Sequence, residues 1–87
     1  MMWKTAVHTD AVELDGEWIV LDAEQYVVTR LNETGGFLWN LIKKGATVNM
    51  LTEALVEEYG IPREMAKHDA ENFIARLQEL GLIVHAA

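Results

Sequence analysis

The side chains of this 87-residue sequence that could do chemistry are three histidines and a scatter of carboxylates. His8, His68 and His85 lack metal-ligand spacing, and there is no cysteine to complete a site. His68-Asp69 would act as an acid–base pair only if both side chains pointed the same way, and adjacent helical residues do not. A surface histidine beside a structural aspartate accounts for them. Glu57-Glu58 and the set Glu64, Asp69 and Glu71 would serve as catalytic carboxylates only across a pocket. No loop here is long enough to form one, and a solvated acidic helix face explains these residues. Gly35-Gly36 sits between a strand-like and a helix-like run, as phosphate loops do, but lacks Gly-x-Gly-x-x-Gly or Walker spacing. With neither cysteine nor serine in the chain, thiolate and serine nucleophiles are excluded, as is the phosphopantetheinylated serine of an acyl carrier protein. No catalytic residue, cofactor or metal is expected, so the chain is expected not to be an enzyme.

Composition narrows the partners. The net charge is −7, and the seven basic residues are spread thinly, with Lys43-Lys44 their only adjacent pair. Nucleic-acid binding draws much of its affinity from cations on phosphates, so a polyanion is disfavoured. No apolar run approaches the roughly 20 residues of a membrane span. The start, Met1-Met2-Trp3-Lys4-Thr5, has no apolar signal region, so a cytoplasmic location is expected.

The elements that must position any site follow from local patterns. One domain over residues 1–87 is expected at this length. Ala11–Leu14, Asp15-Gly16 and Glu17–Leu21 spell a hairpin, because Asp-Gly suits the positive φ angles of a type I′ turn. A turn over Asp22–Gln25 leads to a third strand, Tyr26–Leu31. Asn32 caps a helix running to about Lys44, and Gly45 ends it. Phe37, Leu38, Leu41 and Ile42 form its apolar face. The Gly35-Gly36 pair costs roughly 1 kcal/mol per glycine there, which points to close approach of another backbone. Thr47 caps a second helix with the stripe Val48, Leu51, Leu55 and Tyr59, closed by Gly60. Pro62 suits the first position of a third helix, whose stripe is Ala66, Ala70, Phe73, Leu77 and Leu80, flanked by Met65 and Ile74. Gly81 ends it, and Leu82–His85 is a short apolar tail. The fold class is therefore α+β, a three-stranded antiparallel meander followed by three helices in a winged-helix-like domain.

The last strand has a free edge, whose unpaired N–H and C=O groups can accept a peptide as an added strand. Its side chains alternate, with Tyr26, Val28 and Arg30 on one face and Val27, Thr29 and Leu31 on the other. Either set could line a groove against the third helix, and the second set could equally pack the core. On that helix, Ile74 lies beside the core stripe and is the apolar side chain most available to a ligand. Lys67 is exposed and can pair with an acidic residue. Trp39 belongs to the core, Trp18 is assigned to the outer sheet face, and Trp3 either meets a partner or folds back.

Three stretches together resemble a known family. Leu31-Asn32-Glu33-Thr34-Gly35-Gly36-Phe37-Leu38-Trp39 resembles the strand-to-helix junction of PqqD-like proteins. The Thr47…Leu51…Leu55…Tyr59-Gly60 pattern is similar to their second helix, and Asp69…Phe73…Leu77…Gly81-Leu82 to their closing helix. The resemblance spans about Val7 to Val84. It implies a recognition element that binds the leader of a ribosomally made, post-translationally modified peptide. The leader would add to the third strand and lie against the third helix. The implied site covers Tyr26, Val27, Val28, Thr29, Arg30, Lys67, Ala70, Glu71, Ile74 and Leu77. The chain looks most like the stand-alone leader-binding proteins of lasso-peptide clusters, with a leader peptidase and a cyclase or other modifying enzyme as partners. The alternatives are a peptide chaperone for a radical enzyme in pyrroloquinoline quinone biosynthesis, a winged-helix DNA-binding regulator, and a bridging subunit.

Overall fold

The computed structural model describes residues 1–86. The elements run β1 (Met2–Thr5), β2 (Thr9–Leu14), β3 (Glu17–Asp22), β4 (Val27–Leu31), α1 (Glu33–Lys44), α2 (Val48–Tyr59), α3 (Arg63–Glu79) and β5 (Ile83–Ala86). The expected α+β order of an antiparallel meander and three helices is present, with the sheet order β2-β3-β4. No helix among the described residues is long and apolar enough to cross a membrane.

Local chemistry explains most boundaries. Asp15 and Gly16 both have positive φ (53° and 81°), so Leu14 and Glu17 pair directly across a two-residue turn. At the next turn, the buried carboxylate of Asp22 accepts hydrogen bonds from the backbone N–H groups of Glu24 and Gln25, each at 3.0 Å. This turn extends one residue further than expected. Tyr26 has φ 57° and belongs to the turn, so β4 starts at Val27. The side chain of Asn32 accepts from Gly35 N–H at 2.8 Å, and that of Thr47 from Met50 N–H at 3.1 Å, as their capping roles require. Pro62 stands at the N-cap of α3, one position before the expected one.

A second sheet was not anticipated. β1 pairs antiparallel with β5, placing Trp3 opposite His85. The N–H of Trp3 also donates to the Ala46 carbonyl at 2.8 Å, and Ala46 N–H returns a bond at 3.0 Å. Trp3 is thereby buried between the chain's two ends and the α1–α2 connection, with His85 edge-on at 4.0 Å between ring centroids. Its aromatic side chain therefore folds back into the core.

Trp18 also differs from expectation. The inward-facing positions of β3 are Trp18, Val20 and Asp22, and the indole lies over α1. A Cβ on Gly36 would collide with the Trp18 ring, and one on Gly35 would stand 3.1 Å from Leu31 Cβ. The glycine pair makes room for two side chains, not for another backbone. Trp39, Ile42, Leu51, Leu55 and Leu77 fill the centre of the core.

Candidate functional site

β4 pairs with β3 on one side only, so alternate residues turn their N–H and C=O groups toward an open edge. A groove separates this edge from α3. It consists of three adjoining cavities that share lining residues. The first, about 250 Å³, lies by Asp22, Gln25 and Leu80. The second, about 470 Å³, runs between Val27–Arg30 and Arg76, Glu79 and Leu80. The third, about 380 Å³, is bounded by Leu31, Gly35, Leu38, Asp69, Phe73 and Arg76. The groove therefore follows the whole of β4, roughly 16 Å at 3.3 Å per residue.

The helix wall is built from one stripe. Asp69, Phe73, Arg76 and Leu80 are spaced i, i+4, i+7 and i+11, which stacks them along one face of α3. Ala66, Ala70 and Leu77 lie beside them and point into the core. Phe73 is half-buried and Leu80 exposed, so both combine scaffold contact with surface a ligand can cover.

The wall carries separated charges. Arg30 is held by Glu17, Nε to Oε1 at 3.5 Å, on the outer side of the sheet. Among the described residues Arg76 makes no ion pair, and it stands where the second and third cavities meet. Glu79 and Asp22 make the opposite end acidic. The groove offers backbone hydrogen-bonding groups, apolar walls and one free guanidinium, which is the chemistry of an extended peptide.

The sequence-predicted residues divide. Val27, Val28, Thr29 and Arg30 line the groove. Tyr26 is 90% exposed and sits in the turn at the end of the strand. Ala70 and Leu77 are fully buried core residues that a ligand cannot touch in this conformation. Ile74 is only 5% exposed, so the expectation that it is the available apolar residue is corrected: Phe73 takes that place. Ile74 and Glu71 instead border a separate cavity of about 410 Å³ on the other flank of α3, with Trp3, Thr47 and Val48. Lys67, one turn before Glu71, is exposed on that same flank, away from β4.

Asp69, Phe73, Arg76, Glu79 and Leu80 were missed as groove residues. The i, i+4, i+7, i+11 stripe was visible, but both flanks of α3 carry a comparable mixture of apolar and charged side chains. His8 lies 3.7 Å from Asp22 and 3.5 Å from Glu24, behind the turn that precedes β4.

The chain has known relatives in sequence and in fold. The family model for coenzyme PQQ synthesis protein D (PqqD) matches residues 17–83. No curated relative matches the chain. Among solved structures, TbiB1 in complex with the TbiA(beta) leader peptide superimposes with a TM-score of 0.87 at 21% identity, covering 97% of this chain and 98% of that one. Lasso peptide synthetase B1 complexed with the leader peptide gives 0.84 at 19% identity, covering 95% and 98%. At these identities the likeness is one of fold.

Proposed function

The chain belongs to the PqqD family, and from that premise we propose that it is a non-catalytic adaptor for the leader peptide of a ribosomally made precursor. The leader adds as a strand to β4, lies in the groove against Asp69, Phe73, Arg76 and Leu80, and is presented to a leader peptidase and a cyclase. The observation that carries this reading is the unpaired β4 edge facing an open groove along its full length. Backbone bonds to β4 supply affinity largely independent of sequence, and the side-chain cavities select. The two similar structures are both of leader-peptide complexes, which favours the lasso-peptide setting. The winged-helix-like arrangement of meander and helices then serves peptide capture in the cytoplasm, where precursors are made. The acidic charge and the carboxylates on α3 argue against DNA as its ligand.

A second setting, a peptide chaperone in coenzyme PQQ synthesis, is supported by the description of the matching family. It uses the same groove with a different precursor. Titrating the purified chain with the labelled leader of each kind of precursor tests both. Saturable binding that Val28→Pro removes is expected, because proline cannot donate to the ladder and obstructs the edge. Binding that survives proline at Val28 would rule out strand addition at β4.

A further inference from the structure

The basic residues are spread thinly along the sequence, but the fold gathers three of them at one end of the molecule. In the β1–β5 ribbon, residues paired directly across the strands share a face. Trp3 with His85 and Thr5 with Ile83 form the inner face, where Trp3 and Ile83 are buried. Met2 with Ala86 and Lys4 with Val84 form the outer face, where Met2 is 36% and Val84 49% exposed. This outer face reaches the end of α1. A Cβ on Gly45 would stand 3.0 Å from Met2 Sδ and 3.5 Å from Lys4 Cε. Lys43 and Lys44, both exposed, immediately precede that glycine.

Three lysines therefore flank an apolar strip of Met2 and Val84, and among the described residues none of them makes an ion pair. The stretches that meet here, 1–9, 34–52 and 80–86, hold none of the chain's 14 acidic residues. Cations suit the C-terminal carbonyls of a helix, which accounts for Lys43 and Lys44. It does not account for the exposed apolar side chains beside them. An apolar strip among free cations is the complement of an acidic protein surface with an apolar centre. A nucleic acid or an anionic membrane fits less well. Membrane-binding basic clusters hold roughly four to eight cations, and the net charge of −7 opposes both polyanions. A two-fold dimer through this face would bring the lysines of both copies into one interface.

The position bears on what docking there achieves. From Gly35, at the floor of the groove, to Gly45, α1 rises roughly 15 Å. A protein seated on the ribbon leaves the β4 edge open, so its docking is independent of the peptide. An enzyme that acts on the core peptide after the leader is cut away needs such a contact, because its substrate is then no longer tied to the groove.

We propose that the outer face of the β1–β5 ribbon, with Lys4, Lys43 and Lys44, docks an acidic surface of the cyclase whether the groove is loaded or empty. The freed core is then released beside the next enzyme, at a high effective concentration. The inference rests on the adaptor function proposed above.

The test compares the wild-type chain with Lys4→Glu/Lys44→Glu and with the milder Lys43→Gln/Lys44→Gln. The probes are a labelled leader peptide and the purified cyclase that works on the same precursor. The wild-type chain should bind the cyclase equally, within about twofold, with and without saturating leader. Charge reversal should weaken that binding by about tenfold or more, and wild-type binding should weaken as salt rises. Leader affinity should stay within about twofold of wild type in both variants. The lysine-to-glutamine variant changes only exposed side chains, so it carries the test if the charge reversal melts early; it should weaken cyclase binding by about threefold or more. Cyclase binding that is unchanged in folded variants, or that appears only when leader is present, overturns the inference. Wild-type binding to phosphatidylserine vesicles, or a wild-type dimer in sedimentation, overturns it if the charge reversal abolishes either one, by assigning the face to a membrane or to a second copy. A chain that binds leader normally but no cyclase defeats this inference alone, whereas a chain that binds no leader defeats the adaptor function as well.

Discussion

The indole of Trp18 on β3 lies over Gly36 on α1, in the space a side chain at position 36 would need. This contact fixes how closely the helix approaches the meander, and α1 begins directly after β4. The floor of the groove, at Leu31, Gly35 and Leu38, is set by the same approach.

Gly36→Ala should therefore destabilise the fold by about 1–3 kcal/mol, the usual range for overpacking, although alanine favours helix. Chemical denaturation measures it. In a Trp18→Ala background the same change should cost much less, because the colliding ring is gone.

Phe73 and Ile74 are neighbours in sequence with separate fates. Phe73→Ala should weaken leader binding by about 1–3 kcal/mol, the range of truncated interface anchors. Ile74→Ala should lower stability by about 2–5 kcal/mol, as for a buried aliphatic truncation, and leave peptide affinity near wild type. Parallel melting and titration of the two variants checks the pair, and reversed phenotypes would put the peptide on the other flank of α3.

Arg76 and Lys67 separate the flanks by charge. Arg76→Glu should reduce affinity for a leader that carries a carboxylate near the centre of the groove, and the loss should shrink as salt rises. Lys67→Glu should leave affinity unchanged. Titrations at low and moderate salt make the comparison.

Trp3 joins the chain's ends to the α1–α2 connection. Trp3→Ala should cost about 3–5 kcal/mol of stability, the range for a buried aromatic. Amide exchange should then speed up at Ala46 and along β5, whose backbone bonds the β1 strand secures.

Much of this protein was legible in its sequence because the deciding interactions are local. Asp15-Gly16 makes a turn with only its own φ angles, and Asn32 and Thr47 cap helices through side chains that reach three residues ahead. The meander, the three helices and the open edge of β4 follow from such short-range chemistry, as did four of the groove residues, Val27 to Arg30. The pairing of β1 with β5 was not legible: each strand has four residues, and its partner lies at the other end of the chain. The inward turn of Trp18 and the division of α3 into core, groove and rear flank were hidden for a related reason. Periodicity tells which residues share a face, but only packing against the meander tells which face meets β4. Phe73 and Ile74 are both apolar and stand 100° apart on one helix, so the sheet alone decides which is buried and which is left for a ligand.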